Sequence, residues 1–186
     1  MAFSLDKMQK STHKVVSKTP KGYRERPDII KQMKEEKGEV YEAAKKYKET
    51  PRTGTLIDLK KEFGDLLYTV CCLANSYEEP NIKKTQWKIP LDETFEKTTK
   101  EDIPYNKRQA KLNASVDMLE KALIKDAENI GTITKRIGEL LFAIYAFVPV
   151  CCENDPEIID LDHGFAMIIK KNKQRNKEGY VKKEKK

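Results

Sequence analysis

Apolar residues recur at every third or fourth position along most of the chain, and charged or polar residues fill the positions between them. This spacing places apolar side chains on one face of an α-helix, whereas strands would show strict alternation. Eight prolines interrupt the pattern and divide it into separate helices. The pattern therefore predicts an all-α protein, with helices over residues 5–17, 28–49, 56–77, 106–127, 132–152 and 158–177.

The prolines also indicate how the chain is organised. Three of them lie in a mixed-charge stretch between the third and fourth predicted helices, where we expect a linker with a short helix near 93–100. Pro149 should kink or end the fifth helix. The length of 186 residues fits one domain. The predicted organisation is a single domain over 1–177, with a first half (1–78), a linker (79–105) and a second half (106–177), followed by a basic tail (178–186).

The two halves resemble each other. Residues 36–44 align with 114–122, and residues 62–68 align more closely with 136–142. A helical hairpin that cannot bury its apolar face alone is stabilised by packing against a second copy. We therefore predict two tandem helical-hairpin repeats, packed as an intramolecular pseudo-dimer that resembles a four-helix bundle.

Four carboxylates fall on the apolar faces of the second and third predicted helices. Glu36 and Glu39 form one pair spaced by three residues, and Glu62 and Asp65 form the other. If the two helices pack antiparallel, the four acids lie together, which is unfavourable unless their charge is neutralised. A hard divalent cation with oxygen ligands provides that neutralisation, and Mg²⁺ fits this ligand set best.

A simpler interpretation is that these acids are ordinary members of Lys/Glu-rich helices and form ion pairs one turn apart. That interpretation suits an isolated E-x-x-E. Two such pairs on neighbouring apolar faces favour the metal site instead.

The acidic pattern also resembles a known family. Glu35-Glu36-Lys37-Gly38-Glu39 followed by Glu62-Phe63-Gly64-Asp65-Leu66-Leu67 is similar to the E-x-x-E and E-x-x-D hallmark of MazG-type all-α nucleoside triphosphate pyrophosphohydrolases. Residues 6–13 and 21–23 resemble the first helix and turn of that family, and residues 171–175 resemble the K-N-x-x-R that closes its last helix. The resemblance implies a MazG-type helical bundle.

The resemblance also implies a reaction, which is the Mg²⁺-dependent hydrolysis of a (d)NTP to the (d)NMP and pyrophosphate. Mg²⁺ would be held by the catalytic acids Glu36, Glu39, Glu62 and Asp65. Glu36 would accept the proton of the attacking water. Phosphates would be bound by Lys171, Asn172 and Arg175. His13 and Tyr23 are candidates for binding the base.

The second repeat departs from the acidic pattern. Its counterparts of the four acids are Ala114, Asp117, Arg136 and Glu139. One ligand is lost and another is replaced by a cation, which would repel a metal ion. We therefore expect the second repeat to be degenerate and to bind no metal.

The net charge of +7 is concentrated at the end of the chain. Residues 170–186 contain nine Lys or Arg and two Glu, so the preceding 169 residues are neutral overall. This excludes a basic surface over the whole protein and leaves a basic terminal segment. The competing function is a non-enzymatic helical adaptor or nucleic-acid-binding protein. It explains the terminal segment but not the inward-facing acids, so we do not expect nucleic acid as the partner.

Two other questions stay open at this point. The same fold acting on dUTP specifically, or on a guanosine polyphosphate signal, remains an alternative substrate assignment, and a homo-oligomer is compatible with the sequence. The longest uncharged apolar run is 13 residues, shorter than the roughly 20 that a membrane-spanning helix needs. The first residues lack the pattern of a secretory signal, and both cysteine pairs lie in apolar runs. We expect a cytoplasmic protein without a membrane partner.

Overall fold

In the computed structural model, the structure describes residues 4–19, 22–78, 87–98, 101–152 and 159–184, with side chains up to residue 178. These ranges contain helices and no strand, which confirms the all-α prediction. The described residues form seven α-helices and a 3-10 turn at Tyr105–Lys107: α1 (Leu5–Val16), α2 (Arg26–Glu49), α3 (Thr53–Asn75), α4 (Leu91–Glu96), α5 (Arg108–Asp126), α6 (Ile130–Cys151) and α7 (Leu161–Glu184).

Local capping interactions explain where several helices begin. The Ser4 hydroxyl accepts a hydrogen bond from the backbone N–H of Lys7 at 3.3 Å and caps α1. Asn129 caps α6 in the same way, by accepting from the N–H of Thr132 at 3.0 Å. Side-chain oxygens at these positions satisfy N–H groups that the first helical turn leaves without partners. Pro27 lies in the first turn of α2, where its missing N–H has no cost, so that helix begins two residues earlier than predicted.

Three predicted boundaries need correction or comment. The short helix predicted at 93–100 is α4, which begins at Leu91 and ends at Glu96. Pro149, predicted to kink or end this helix, lies inside α6, which continues for two more residues and ends at Cys151. Helix α7 continues to Glu184, past the predicted end at 177. No proline follows residue 177, and the Lys and Glu residues there favour helix, so α7 continues through Gly179.

Some predictions fall outside the described residues. Residues 153–158, which include the predicted start of the last helix, and residues 79–86 of the linker are among them. The side chains of 179–186, and therefore most of the basic tail, are also outside the described part. The division into halves, linker and tail stays a prediction.

Helix α3 is central to the core. It packs against α2 on one side and α7 on another, while α5 packs against α6. The apolar residues that recur every three or four positions along α3 are buried, and they are Leu59, Phe63, Leu66, Val70, Leu73 and Tyr77 just beyond the helix end. The apolar face of α2 is buried as well at Ile29, Ile30, Met33, Val40, Ala43 and Ala44, while Tyr47 on the same face is partly buried. Burial of these side chains is the main force that fixes α2 on α3.

Two glycines allow α3 and α7 to approach closely. A Cβ atom added to Gly64 would lie 2.5 Å from the carbonyl carbon of Gly164, and one added to Gly164 would lie 2.1 Å from the carbonyl oxygen of Lys60. Only glycine fits at both positions without moving the backbone. The crossing point lies next to Asp65 and two turns before Lys171, so the two glycines bring the middle of α7 over the acidic residues of α3.

The segment between the two halves contributes to the core. Ile89 and Leu91 are fully buried, and α4 packs against α6 and α1. Gly138 on α6 corresponds to Gly64 in the sequence repeat, and a Cβ added there would lie 2.1 Å from the Thr98 hydroxyl oxygen. The repeated glycine therefore serves close packing in both copies. A two-fold relation between the hairpins α2–α3 and α5–α6 stays a prediction. Among the described residues, no helix is both long and apolar enough to span a membrane.

Candidate active site

The hairpin of α2 and α3 brings three carboxylates together. Residues 50–52 join the two helices, which forces them to run antiparallel. Glu36 from α2 and Glu62 and Asp65 from α3 each offer an oxygen, and these three oxygens lie within 4.8 Å of one another. All three side chains are half-buried. We call these residues the acidic triad.

Glu39, the fourth predicted acid, lies at the edge of the triad. Its side chain is exposed, which corrects the expectation that it faces inward. Three residues turn an α-helix by about 300°, so Glu39 lies about 60° further from the buried positions of α2 than Glu36 does. It still influences the site, because Glu39 helps to raise the pKa of Glu62. The structure therefore gathers three of the four predicted acids and leaves the fourth at their edge.

The proton affinities of the triad reflect this crowding. Burial, followed by the hydrogen bond and negative charge of Glu39 and the charges of Asp65 and Glu36, raises the pKa of Glu62 to about 7. Burial also raises the pKa of Glu36, with a further increase from Asp65 and Glu39 that a hydrogen bond from Gln32 opposes. Like charges at this separation disfavour full ionisation. A cation bound between the carboxylates would relieve that repulsion.

The donor set of the triad fits a hard divalent cation. Three carboxylates on two rigid helices supply oxygen ligands, with neither imidazole nor thiolate in the group. Mg²⁺ binds to one or a few carboxylates and keeps several water molecules, so it does not need a closed cage of protein ligands. The half-buried position of the triad leaves room for those waters. Within the described residues, no other cluster of acidic, histidine or cysteine side chains has this geometry.

Two cationic residues of α7, Lys171 and Arg175, line the cavity beside the triad, and we call them the cationic wall. The ammonium group of Lys171 lies 3.0 Å from a carboxylate oxygen of Asp65, whose side chain is only 14% exposed. Lys171, Asn172 and Arg175 line one cavity of about 340 Å³ together with Glu36 and Asp65. The two residues with cationic side chains are spaced i and i+4, so they share the face of α7 that points into this cavity. Acidic and basic groups thus line the same small space.

The aromatic candidates form a connected group of rings beside this cavity. Tyr23 lines the cavity, and its hydroxyl is hydrogen-bonded to Nδ1 of His13 at 3.0 Å. His13 lies behind Tyr23, and the edge of the Trp87 ring packs against it at a centroid distance of 5.6 Å. Burial raises the pKa of Tyr23, so its hydroxyl stays neutral. Of the two predicted base-binding residues, Tyr23 reaches the cavity directly, and His13 and Trp87 support its ring.

Several polar residues of the cavity escaped the sequence prediction, and two of them form a hydrogen-bonded chain to Glu36. Arg24 donates to the side-chain oxygen of Gln32 at 3.1 Å, and Gln32 donates to Glu36 at 3.1 Å. Gln32 precedes Glu36 by one helical turn, a spacing that indicates a contact once Glu36 is recognised as a site residue. Arg24 reaches Gln32 from the loop before α2, and no helical spacing predicts that contact.

The second repeat has a different arrangement at the corresponding position. Arg136 donates to a carboxylate oxygen of Glu139 at 2.6 Å, so the cation predicted to replace a ligand neutralises one of the two acids that remain. Ala114 supplies no ligand. A side-chain ion pair therefore takes the place that the acidic triad has in the first repeat.

The comparisons with known proteins agree with the acidic motif. Residues 25–101 match the family model described as the MazG nucleotide pyrophosphohydrolase domain, which confirms the resemblance over this range. The match is shorter than half of the chain; it includes all four predicted acids but ends before α5 and therefore before Lys171 and Arg175. Proteins of this family are nucleotide pyrophosphohydrolases, which are hydrolases of acid anhydrides. No curated protein and no solved structure matches the chain.

Proposed function

We propose that this MazG-like chain is a nucleoside triphosphate pyrophosphohydrolase that converts a (d)NTP into the (d)NMP and pyrophosphate and depends on Mg²⁺. The observation that supports this most is the single cavity in which Glu36 and Asp65 face Lys171 and Arg175. A polyphosphate with bound Mg²⁺ needs both kinds of group, because carboxylates bind the cation while ammonium and guanidinium groups bind phosphate oxygens.

Mg²⁺ would be held by the acidic triad, with Glu39 as an additional ligand. When bound there, it supplies neutralisation of the phosphate charge and a bound water of lowered pKa. The chain positions these groups through rigid elements, since all four acids lie on the paired helices α2 and α3. The ammonium group of Lys171 donates a hydrogen bond to Asp65. This contact supports the assignment of Lys171 to a phosphate bound beside the cation.

The protein side chains have separate tasks in the reaction. A carboxylate oxygen of Glu36 accepts the proton of the attacking water as the water oxygen bonds to phosphorus. The bond that breaks is the anhydride between the α- and β-phosphates, and pyrophosphate and the monophosphate separate. Lys171 and Arg175 stabilise the negative charge on the phosphate oxygens, and the amide of Asn172 donates a further hydrogen bond.

The base is assigned to the aromatic end of the cavity. Tyr23 offers a ring face and a hydroxyl, and His13 orients that hydroxyl through the hydrogen bond at 3.0 Å. Aromatic rings bind any nucleobase by stacking, whereas hydrogen bonds distinguish one base from another. A guanosine polyphosphate would occupy the same cavity, and dUTP would be a special case of the same reaction.

A panel of nucleotides tests this proposal. Pyrophosphate release should be measured for the dNTPs, the NTPs, dUTP and guanosine tetraphosphate, each with Mg²⁺ and with EDTA. We expect release of pyrophosphate from at least one nucleoside triphosphate, abolished by EDTA and by Asp65→Asn. Release that persists in EDTA would contradict the role of the triad. DNA and RNA binding at two salt concentrations tests the competing nucleic-acid function, which predicts strong salt-dependent binding without turnover.

A further inference from the structure

Arg24 and Gln32 form a hydrogen-bonded chain that ends on Glu36. NH1 of Arg24 donates to Oε1 of Gln32 at 3.1 Å, and Nε2 of Gln32 donates to Oε1 of Glu36 at 3.1 Å. All three residues line the same cavity. The reaction described above uses Glu36 and leaves the other two residues without a task.

The amide of Gln32 has only one orientation that satisfies both neighbours. A guanidinium group is a donor only, and an ionised carboxylate is an acceptor only. Rotating the amide by 180° would point its NH₂ group at Arg24 and its oxygen at Glu36, which would replace two hydrogen bonds by two repulsive contacts. Arg24 therefore fixes the direction in which Gln32 donates.

The loop before α2 explains how Arg24 reaches Gln32. Gly22 has a φ of +61°, a conformation that favours glycine. The N–H of Gly22 donates to the carbonyl oxygen of Thr19 at 3.1 Å, so the chain turns there before it enters α2. The turn places Tyr23 and Arg24 on the wall of the cavity.

Glu36 requires an external constraint because its neighbours repel it. Its carboxylate oxygen lies within 4.8 Å of oxygens of Glu62 and Asp65. A glutamate side chain has several rotatable bonds, and like charges would turn it away from the triad when no cation is bound. A hydrogen bond from Gln32 opposes that rotation and holds the carboxylate where a cation would be bound.

We propose that Gln32, oriented by Arg24, is a positioning residue that holds the Glu36 carboxylate in the metal-binding geometry of the acidic triad. This inference rests on the proposed function in assigning Glu36 to the cation. Residues that hydrogen-bond to metal ligands often change metal affinity by about 10–100-fold when they are replaced. Gln32 is half-exposed, so we expect the lower end of that range.

The test measures cation binding without substrate. Mn²⁺ is titrated into the full chain by calorimetry, for the wild type and for Gln32→Met, which keeps the shape of the side chain and removes the donor. We expect about tenfold weaker Mn²⁺ binding in Gln32→Met. The matched control is Gln109→Met at an exposed position of α5, with unchanged binding. Melting temperatures without metal should agree between Gln32→Met and the wild type, because a structural role would lower them.

Variants of Arg24 separate positioning from simple charge. Loss of a positive charge near the triad would by itself strengthen cation binding. If Arg24 acts through Gln32, Arg24→Met weakens Mn²⁺ binding instead, and Arg24→Lys, which keeps a donor and the charge, binds close to wild type. In the Gln32→Met background, Arg24→Met should cause no further weakening, because the two residues act in one chain.

The possible results distinguish this inference from the proposed function. Wild-type Mn²⁺ affinity in Gln32→Met, or stronger binding in Arg24→Met, would overturn the positioning role even if the wild type hydrolyses nucleotides. A wild type that binds Mn²⁺ but hydrolyses no nucleotide would contradict the proposed function, while the Mn²⁺ titrations of the variants would still judge the positioning role. Where turnover is seen, kcat should fall in Gln32→Met with little change in KM, since Glu36 acts on the chemical step.

Discussion

Replacing Glu62 with Gln should stabilise the metal-free protein at pH 8 and leave its stability unchanged at pH 4. Glu62 lies within 4.8 Å of two other carboxylates, and burial together with Glu39 raises its pKa from 4.5 to about 7. Between pH 4.5 and about pH 7, Glu62 is ionised in the unfolded chain but still protonated in the folded protein, so the free energy of unfolding falls as pH rises through this window. The penalty is complete above about pH 7 and absent below about pH 4.5. Because Gln carries no charge, the Glu62→Gln substitution removes this penalty.

The size of the effect follows from the change in pKa. A pKa raised from 4.5 to about 7 corresponds to an upper bound of about 3 kcal/mol, since each tenfold change in proton affinity is worth about 1.4 kcal/mol. The side chain is half-exposed, and solvent screens its charge, so we expect about 1 kcal/mol. For a chain of this length, that is a rise in Tm of about 2–4 °C.

Thermal melts at pH 4 and pH 8, with and without Mg²⁺, measure this effect. The matched control is Glu42→Gln, which removes an exposed carboxylate of α2 outside the triad. It should leave Tm within about 1 °C of the wild type at both pH values. Mg²⁺ should raise the Tm of the wild type more than that of Glu62→Gln, because one ligand is missing in the variant. A lower Tm in Glu62→Gln at pH 8 in EDTA, or an equal gain at both pH values, would refute the repulsion between carboxylates.

Four further predictions concern other parts of the molecule. Glu139→Gln breaks the ion pair with Arg136, and turnover should stay within a few-fold of wild type; a loss as deep as that of a triad variant would show that the second repeat is active. Arg175→Ala should lower kcat/KM by about 1.5–3 kcal/mol, the value of a charge-assisted hydrogen bond, in steady-state kinetics. Removal of residues 180–186 should change kcat/KM little. If the protein instead bound nucleic acid, the truncation would weaken that binding more than Arg175→Ala does. Gly164→Ala should lower Tm by several degrees in thermal melts, because its Cβ would lie 2.1 Å from a carbonyl oxygen of α3.

Helix positions and the acidic motif were accessible from the sequence because both depend on local spacing. Apolar residues at every third or fourth position fix which face of α3 is buried, and Leu59 and Leu66 lie on that face. Glu62 follows Leu59 by three residues and precedes Leu66 by four, so the same periodicity located it. Glu39 shows the limit of this reasoning, because a small angular difference on α2 separates an inward from an exposed carboxylate.

Contacts between distant segments could not be predicted in this way. The approach of α7 to α3 depends on Gly64 and Gly164 meeting, and the sequence marks neither glycine as a partner of the other. Arg24 reaches Gln32 through a turn at Gly22, and a loop contact of this kind has no periodicity. The candidate ligands could therefore be proposed from the sequence, whereas the residue that positions one of them could be recognised only in the structure.

Pyrophosphate release by the wild type and by Asp65→Asn, with Mg²⁺ and with EDTA, tests the central claim most directly. Asp65 joins the acidic triad and contacts Lys171 on the cationic wall, so this substitution affects both halves of the proposed site. We expect Mg²⁺-dependent release of pyrophosphate and a nucleoside monophosphate by the wild type, and none by Asp65→Asn, with circular dichroism showing the same helical content. Undiminished Mg²⁺-dependent turnover by Asp65→Asn would contradict the account.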